Sequence, residues 1–181
     1  MFPERAACGP LVLRRFVMPD IPEIVRLCGA PELALMTALV PHPYTTAMAE
    51  EWVTGQRTAT SGEVTYAVVR VEDDALVGAL GIRADVPADD MIGYWIGVPY
   101  WGRGYATAAL GTGLALAFAC TEAAAIRAIH LARNPASGRV MEKCGMVAIG
   151  ERERPHRDGA LERFVLRELG RERWERLLDA R

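Results

Sequence analysis

From Tyr105 to Cys120 the chain runs without a charged residue, and alanine fills much of that length. The stretch is shorter than the ~18 apolar residues a membrane span needs, so its shield from water must be the protein itself, as a helix buried against a sheet. Gly111 and Gly113 would let that helix approach the sheet closely. On one side lies a β-rich run, Met91 to Val98, ending in a turn with Gly102 and Gly104, and on the other the run Ala125 to Leu131. Strand, glycine turn, buried helix, strand is therefore the frame the other elements must complete.

The first third reads as mostly helical. Leu11 to Val17 predicts a strand, after which Pro19-Asp20-Ile21-Pro22 opens an amphipathic helix carrying Ile24, Val25, Leu27 and Cys28, ended by Gly29. Pro31 to Leu39 predicts a short helix. Pro41-His42-Pro43-Tyr44 must be a loop, and Thr45 or Thr46 caps a helix through Ala49, Trp52 and Val53. Val64 to Val71 and Ala75 to Ile82, separated by Glu72-Asp73-Asp74, form a hairpin pattern. Asn134 to Cys144 predicts a helix stopped by Gly145, Met146 to Glu151 and Leu161 to Leu169 predict strands, and Arg171 to Leu178 a closing helix. The expectation is a single α/β domain over residues 1–181 with α+β character. Its one mixed, mostly antiparallel sheet has a central parallel β-α-β pair, with helices on both faces.

Composition excludes several functions. A formal charge of -2 argues against a dedicated nucleic-acid binder, and no apolar run is long enough for a membrane span. Lys143 is the sole lysine and follows Glu142, so the Walker phosphate loop is absent. Cys8, Cys28, Cys120 and Cys144 are scattered without zinc-type spacing, and read as reduced thiols of a cytoplasmic protein with no metal.

The chemistry is concentrated between Ile92 and Thr107. Glycines at the mouth of a helix let backbone amides converge on an anion, and the helix dipole adds to the attraction, so a diphosphate is the natural guest. A dinucleotide fold would want a third glycine where Thr107 stands and an acidic residue after the next strand, whereas Glu122 precedes it. The alternative is a turn whose glycines only permit tight geometry.

The register Trp101-Gly102-Arg103-Gly104-Tyr105-Ala106 resembles the acetyl-CoA loop Gln/Arg-x-x-Gly-x-Gly/Ala of the GNAT superfamily, with Trp101 departing from the first position. Several other segments are similar to that superfamily's ribosomal-protein N-acetyltransferase branch: Gly93-Tyr94-Trp95-Ile96, Asn134-Pro135-Ala136-Ser137, Glu142 to Met146, Pro41 to Tyr44, and Asp158-Gly159. The resemblance implies acetyl-CoA as cosubstrate, with Trp101, Gly102, Arg103, Gly104, Tyr105, Ala106 and Thr107 forming the loop that receives its diphosphate. Ile96, Gly97 and Val98 would pair with pantetheine as an added strand, Asn134 would contact that arm, and Arg103 and Arg139 would reach phosphate. A homodimer is the common arrangement among the resembling proteins.

Acetyl transfer to an amine needs a neutral amine, a stabilised oxyanion and a proton for the leaving thiolate. The tyrosine that donates it in many GNAT members is replaced here by Met141, and the branch resemblance implies Ser137 instead. Asn134, Pro135 and Ser137 also make a good helix start. For the base, Asp90 lies nearest the usual glutamate position, itself occupied by Met91; Asp85 and Asp89 are its neighbours. His42 and His156 read as surface histidines, His130 as a strand residue without a metal partner, and the four tryptophans as core or rim packing. The acceptor wall is expected from Pro31 to Trp52 and from the Arg157 to Arg163 hairpin, and the acidic loops Glu72 to Asp74 and Asp85 to Asp90 suit a cationic amine, either a protein N-terminus or a small molecule. Alternatives are an acyl-CoA-binding module without catalysis and, less consistent with the glycine pattern, a nucleotide-dependent oxidoreductase.

Overall fold

In the computed structural model, residues 1–56, 62–83, 89–157 and 159–180 are described. Five strands make the first sheet: β1 Arg5–Cys8, β2 Leu11–Arg15, β3 Glu63–Arg70, β4 Leu76–Arg83 and β5 Ile92–Ile96, neighbours in that order and all antiparallel. The middle of the sheet is buried on both faces. Val64, Tyr66 and Val68 point into one core while Ala67 and Val69 point into the other, which is why β3 reads as a nearly unbroken apolar run.

The helices α1 Ile21–Cys28, α2 Pro31–Met36 and α3 Thr46–Gln56 contribute Ile24, Leu27, Leu33, Ala49 and Val53 to one face. Thr45 caps α3 by accepting from the Met48 amide at 3.3 Å. The other face is covered by α4, Tyr105–Cys120, which buries Leu110, Leu114 and Phe118. At about 1.5–3 kcal/mol for each large side chain, those three outweigh the weak preference of its glycines for helix. Only one of those glycines sits at the contact. A Cβ on Gly113 would lie 2.6 Å from Leu80 Cδ2, whereas one on Gly111 would meet nothing within 4 Å, because two positions along a helix turn the residue to the opposite side.

The second sheet departs from the one mixed sheet expected. It holds β6 Ala125–Leu131, β7 Val147–Pro155 and β8 Leu161–Gly170 in the order β6-β8-β7, both ladders antiparallel. The unit β6-α5-β7, with α5 spanning Pro135–Lys143, therefore contains no parallel ladder: β8 inserts between its strands. Nor does a ladder join β5 to β6, although they lie side by side. The chain also pairs one strand earlier than sequence indicated, since β1 precedes Leu11. No described helix is long and apolar enough to cross a membrane. The opening between β5 and β6, under the N-termini of α4 and α5, is where the site lies.

Candidate active site

A cleft of about 1350 Å³ runs from the turn before α4, past the start of α5, to the loop after α2. Its lining includes Ile96, Trp101, Gly102, Arg103, Gly104, Tyr105, Ala106, Thr107, Asn134, Ser137, Arg139 and Asp90, so one space gathers nearly all the residues singled out in the sequence. Gly97 and Val98 are not on its wall. The Gly97 amide donates to the Val77 carbonyl at 2.9 Å, and a Cβ on Gly97 would run into Leu27 at 2.5 Å, so this glycine serves the packing of β5 on α1. Ladder alternation then turns the backbone of Ile96 toward the gap. Trp101 Nε1 donates to the Ile96 carbonyl at 2.6 Å, with the ring 43% exposed at the rim.

Gly102 and Gly104 have φ of +74° and +79°, in the left-handed region, and this double turn brings the chain into α4 with no side chain capping its N-terminus. The first-turn amides of Tyr105, Ala106 and Thr107 thus face the cleft with the positive end of the helix dipole behind them. Arg103 and Arg139 are exposed at the same mouth and, among the described residues, form no ion pair. Lys143 joins them on the wall, one helical turn from Arg139.

Deeper in, Ser137 opens the first turn of α5. Its amide donates to Asn134 Oδ1 at 3.1 Å, and the Asn134 side-chain nitrogen donates to the Met36 carbonyl at 2.9 Å, so Asn134 is both helix cap and tie to α2. Tyr94, reaching across from β5, places its hydroxyl 2.9 Å from Ser137 Oγ. Burial pushes the Tyr94 phenol up to about 12 despite that hydrogen bond, so it stays protonated at ordinary pH. Tyr94 was not singled out from the sequence, where it is one aromatic within a strand. Met141 is 2% exposed on the cleft wall and offers no proton, while Met91 is core.

Asp90 lines the cleft but is engaged: Arg83 donates to its carboxylate at 2.8 Å and to its backbone carbonyl at 3.0 Å. Asp89 accepts from Arg154 at 2.6 Å, tying the segment before β5 to β7. Asp85 and Asp158 lie outside the described residues. Glu72 to Asp74 are not on the wall; Asp73 instead holds Arg70 at 2.8 Å.

The other end of the cleft, where the acceptor wall was expected, is lined by α2, α3 and the loop between them, through Leu33, Met36, Tyr44, Met48, Glu51 and Trp52. The described residues of the Arg157 to Arg163 hairpin contribute no lining. They act indirectly: Arg157 donates to the Ala34 carbonyl and, at 3.3 Å, to that of Thr37, while Arg133 donates to Leu35 at 3.2 Å. The C-terminal carbonyls of α2, unpaired within the helix, are thus held by side chains from the segments that follow β6 and β7. His156, expected on the surface, is 5% exposed and meets the Thr37 carbonyl at 3.0 Å. His130 is buried too, with burial lowering its pKa. Among the described residues no cluster of three or more ligands could hold a metal ion.

Residues 10–147 match the acetyltransferase (GNAT) domain, and the chain belongs to that family. Solved structures share the fold. A GNAT-family acetyltransferase from Bacillus anthracis superposes with a TM-score of 0.81 at 20% identity, covering 93% of this chain and 99% of that one. Spermidine N-acetyltransferase from Vibrio cholerae, in complex with CoA and spermine, gives 0.77 at 18% identity over 92% and 99%. Mycobacterium smegmatis RimJ, in complex with CoA-disulfide, gives 0.78 at 23% identity over 94% and 88%. No curated protein matches the sequence significantly.

Proposed function

We propose that the chain, as one acetyltransferase domain, transfers the acetyl group of acetyl-CoA to a primary amine by direct attack within a ternary complex. The observation that carries this reading is the uncapped N-terminus of α4 behind two left-handed glycines, opening into the cleft between two unjoined sheets. The amides from Arg103 to Thr107 receive the diphosphate, Arg103, Arg139 and Lys143 add charge at the mouth, and the gap-facing backbone of β5 at Ile96 pairs with the pantetheine arm. Neutral side chains such as Met36, Met48 and Tyr44 surround the acceptor. Burial pushes the Tyr44 phenol up to about 12, so it adds no charge.

In the reaction the amine nitrogen bonds to the acetyl carbon, the C–S bond breaks with its electron pair on sulfur, and the proton lost by nitrogen balances the one gained by sulfur. Ser137 is the candidate donor to sulfur, since Met141 has no proton to give. Asp90, paired with Arg83, would take the amine's proton through water. The acceptor is read as a protein N-terminus or a small-molecule amine, in the manner of the ribosomal-protein branch, in a cytoplasmic and homodimeric enzyme. The buried, proton-less Met141 favours one second reading, a module that binds acyl-CoA without turnover.

Thermal shift with acetyl-CoA, CoA, NAD and ATP tests the first step. At about 100 times its dissociation constant a ligand stabilises by roughly 2.7 kcal/mol, which for a chain of this size raises Tm by roughly 5–10 °C. A rise with the CoA ligands alone is expected, followed by CoA release with some member of an amine panel. A rise with NAD alone refutes the reading, and binding without release for every amine leaves the non-catalytic module.

A further inference from the structure

Tyr94 and Ser137 share a proton arrangement with two possible patterns. Tyr94 Oη lies 2.9 Å from Ser137 Oγ and 3.2 Å from the Ser137 carbonyl oxygen, and a phenol has a single proton to donate. If that proton goes to the carbonyl, Ser137 must give its own hydroxyl proton to the phenol oxygen and has none for the cleft. If it goes to Oγ, the serine proton is free to turn into the cleft, and the hydrogen bond Oγ receives polarises the O–H bond it offers. The Ser137 backbone does not decide between the two, because its amide is already bound to Asn134. The choice lies in two hydroxyl rotors, and a negative sulfur in the cleft would select the second pattern.

We propose that Tyr94 is a positioning residue that aims the Ser137 hydroxyl at the departing sulfur, so that the two hydroxyls form a hydrogen-bond chain ending on the thiolate. This rests on the acetyl-transfer reading above, in which Ser137 donates the proton that Met141 cannot. As the C–S bond breaks, sulfur takes the Ser137 proton, and Oγ is resupplied by the proton the new amide nitrogen sheds, carried by solvent. Tyr94 keeps its own proton throughout, in keeping with a buried phenol whose ionised form is disfavoured. A tyrosine that supplied the proton itself would need the opposite environment.

The test needs no acceptor. CoA is bound to the wild-type protein and to Tyr94→Phe, Ser137→Ala and the double variant, and the ultraviolet absorbance of the bound thiolate is followed against pH. A hydroxyl aimed at sulfur stabilises the thiolate, so each single variant should hold about tenfold less of it at a given pH, equivalent to one pKa unit. The double variant should lose no more than Ser137→Ala, because Tyr94 acts only through that serine. CoA affinity, measured by calorimetry at a pH low enough that the thiol stays protonated in every variant, should stay unchanged in Tyr94→Phe, which keeps the ring and its packing. A Tyr94→Phe titration identical to wild type overturns the proposal, as does a double variant whose loss is the product of the single losses. If wild-type protein binds no CoA, the acetyl-CoA reading itself fails; if CoA binds and titrates alike in all four proteins, that reading stands and only the role of Tyr94 falls.

Discussion

Replacing Asn134 by alanine removes two hydrogen bonds that point in opposite directions. One is the helix cap, received from the Ser137 amide at 3.1 Å; the other is the donation to the Met36 carbonyl at 2.9 Å. Loss of an N-cap costs about 1 kcal/mol, and loss of a partner to a half-buried carbonyl costs about 1 kcal/mol more. Asn134→Ala should therefore lower stability by about 2 kcal/mol, roughly 4–8 °C in Tm for a domain of this size. Asn134→Asp separates the two contributions: its carboxylate still caps α5 but faces the Met36 carbonyl without a donor, so about 1 kcal/mol should be lost. Urea unfolding followed by circular dichroism reads both variants, with acetyl-CoA affinity measured alongside. If Asn134→Ala is as stable as wild type, or Asn134→Asp is as impaired as alanine, the reasoning is refuted. Unchanged stability with lost acetyl-CoA affinity would make Asn134 a ligand contact and not a strut.

Ser137→Ala should lower turnover more than tenfold while leaving acetyl-CoA affinity nearly unchanged, read by steady-state kinetics beside calorimetry; an unaffected rate would reduce Ser137 to a helix-start residue. Gly104→Val places a branched side chain at φ +79° where the proposed function puts the diphosphate, and should abolish acetyl-CoA binding in the thermal-shift assay. Gly113→Val drives a Cβ against Leu80 and Ile92 and should cost about 1–3 kcal/mol in denaturant unfolding without changing the loop it leads from. Burial holds the folded-state pKa of His130 below its ordinary 6.5, so between those two values the unfolded chain binds the extra proton and stability falls as pH drops below 6.5. His130→Gln should flatten that acid-side slope in pH-dependent unfolding, and an unchanged slope would assign it to other groups.

Local patterns determined much of this protein. The uncharged run Tyr105 to Cys120 is α4 with the same bounds, Ala125 to Leu131 is β6, and glycines 102 and 104 take a left-handed turn that their missing Cβ permits, because periodicity, burial and positive φ are properties of short segments. Pairing is not such a property. That β8 inserts between β6 and β7, and that β5 and β6 part to leave a cleft, depends on which edge each strand finds after the chain has turned back, and a run of apolar residues satisfies either neighbour equally well. The same holds for side chains distant in sequence. Tyr94 meets Ser137, Arg157 meets the carbonyl end of α2, and Asp90 is taken by Arg83, none of it visible in spacing, since those contacts exist only once the two sheets are set against each other. The sequence by itself determined most of the elements and the glycine turn before α4; only the tertiary structure decided the gap between the sheets and which hydroxyl stands behind Ser137.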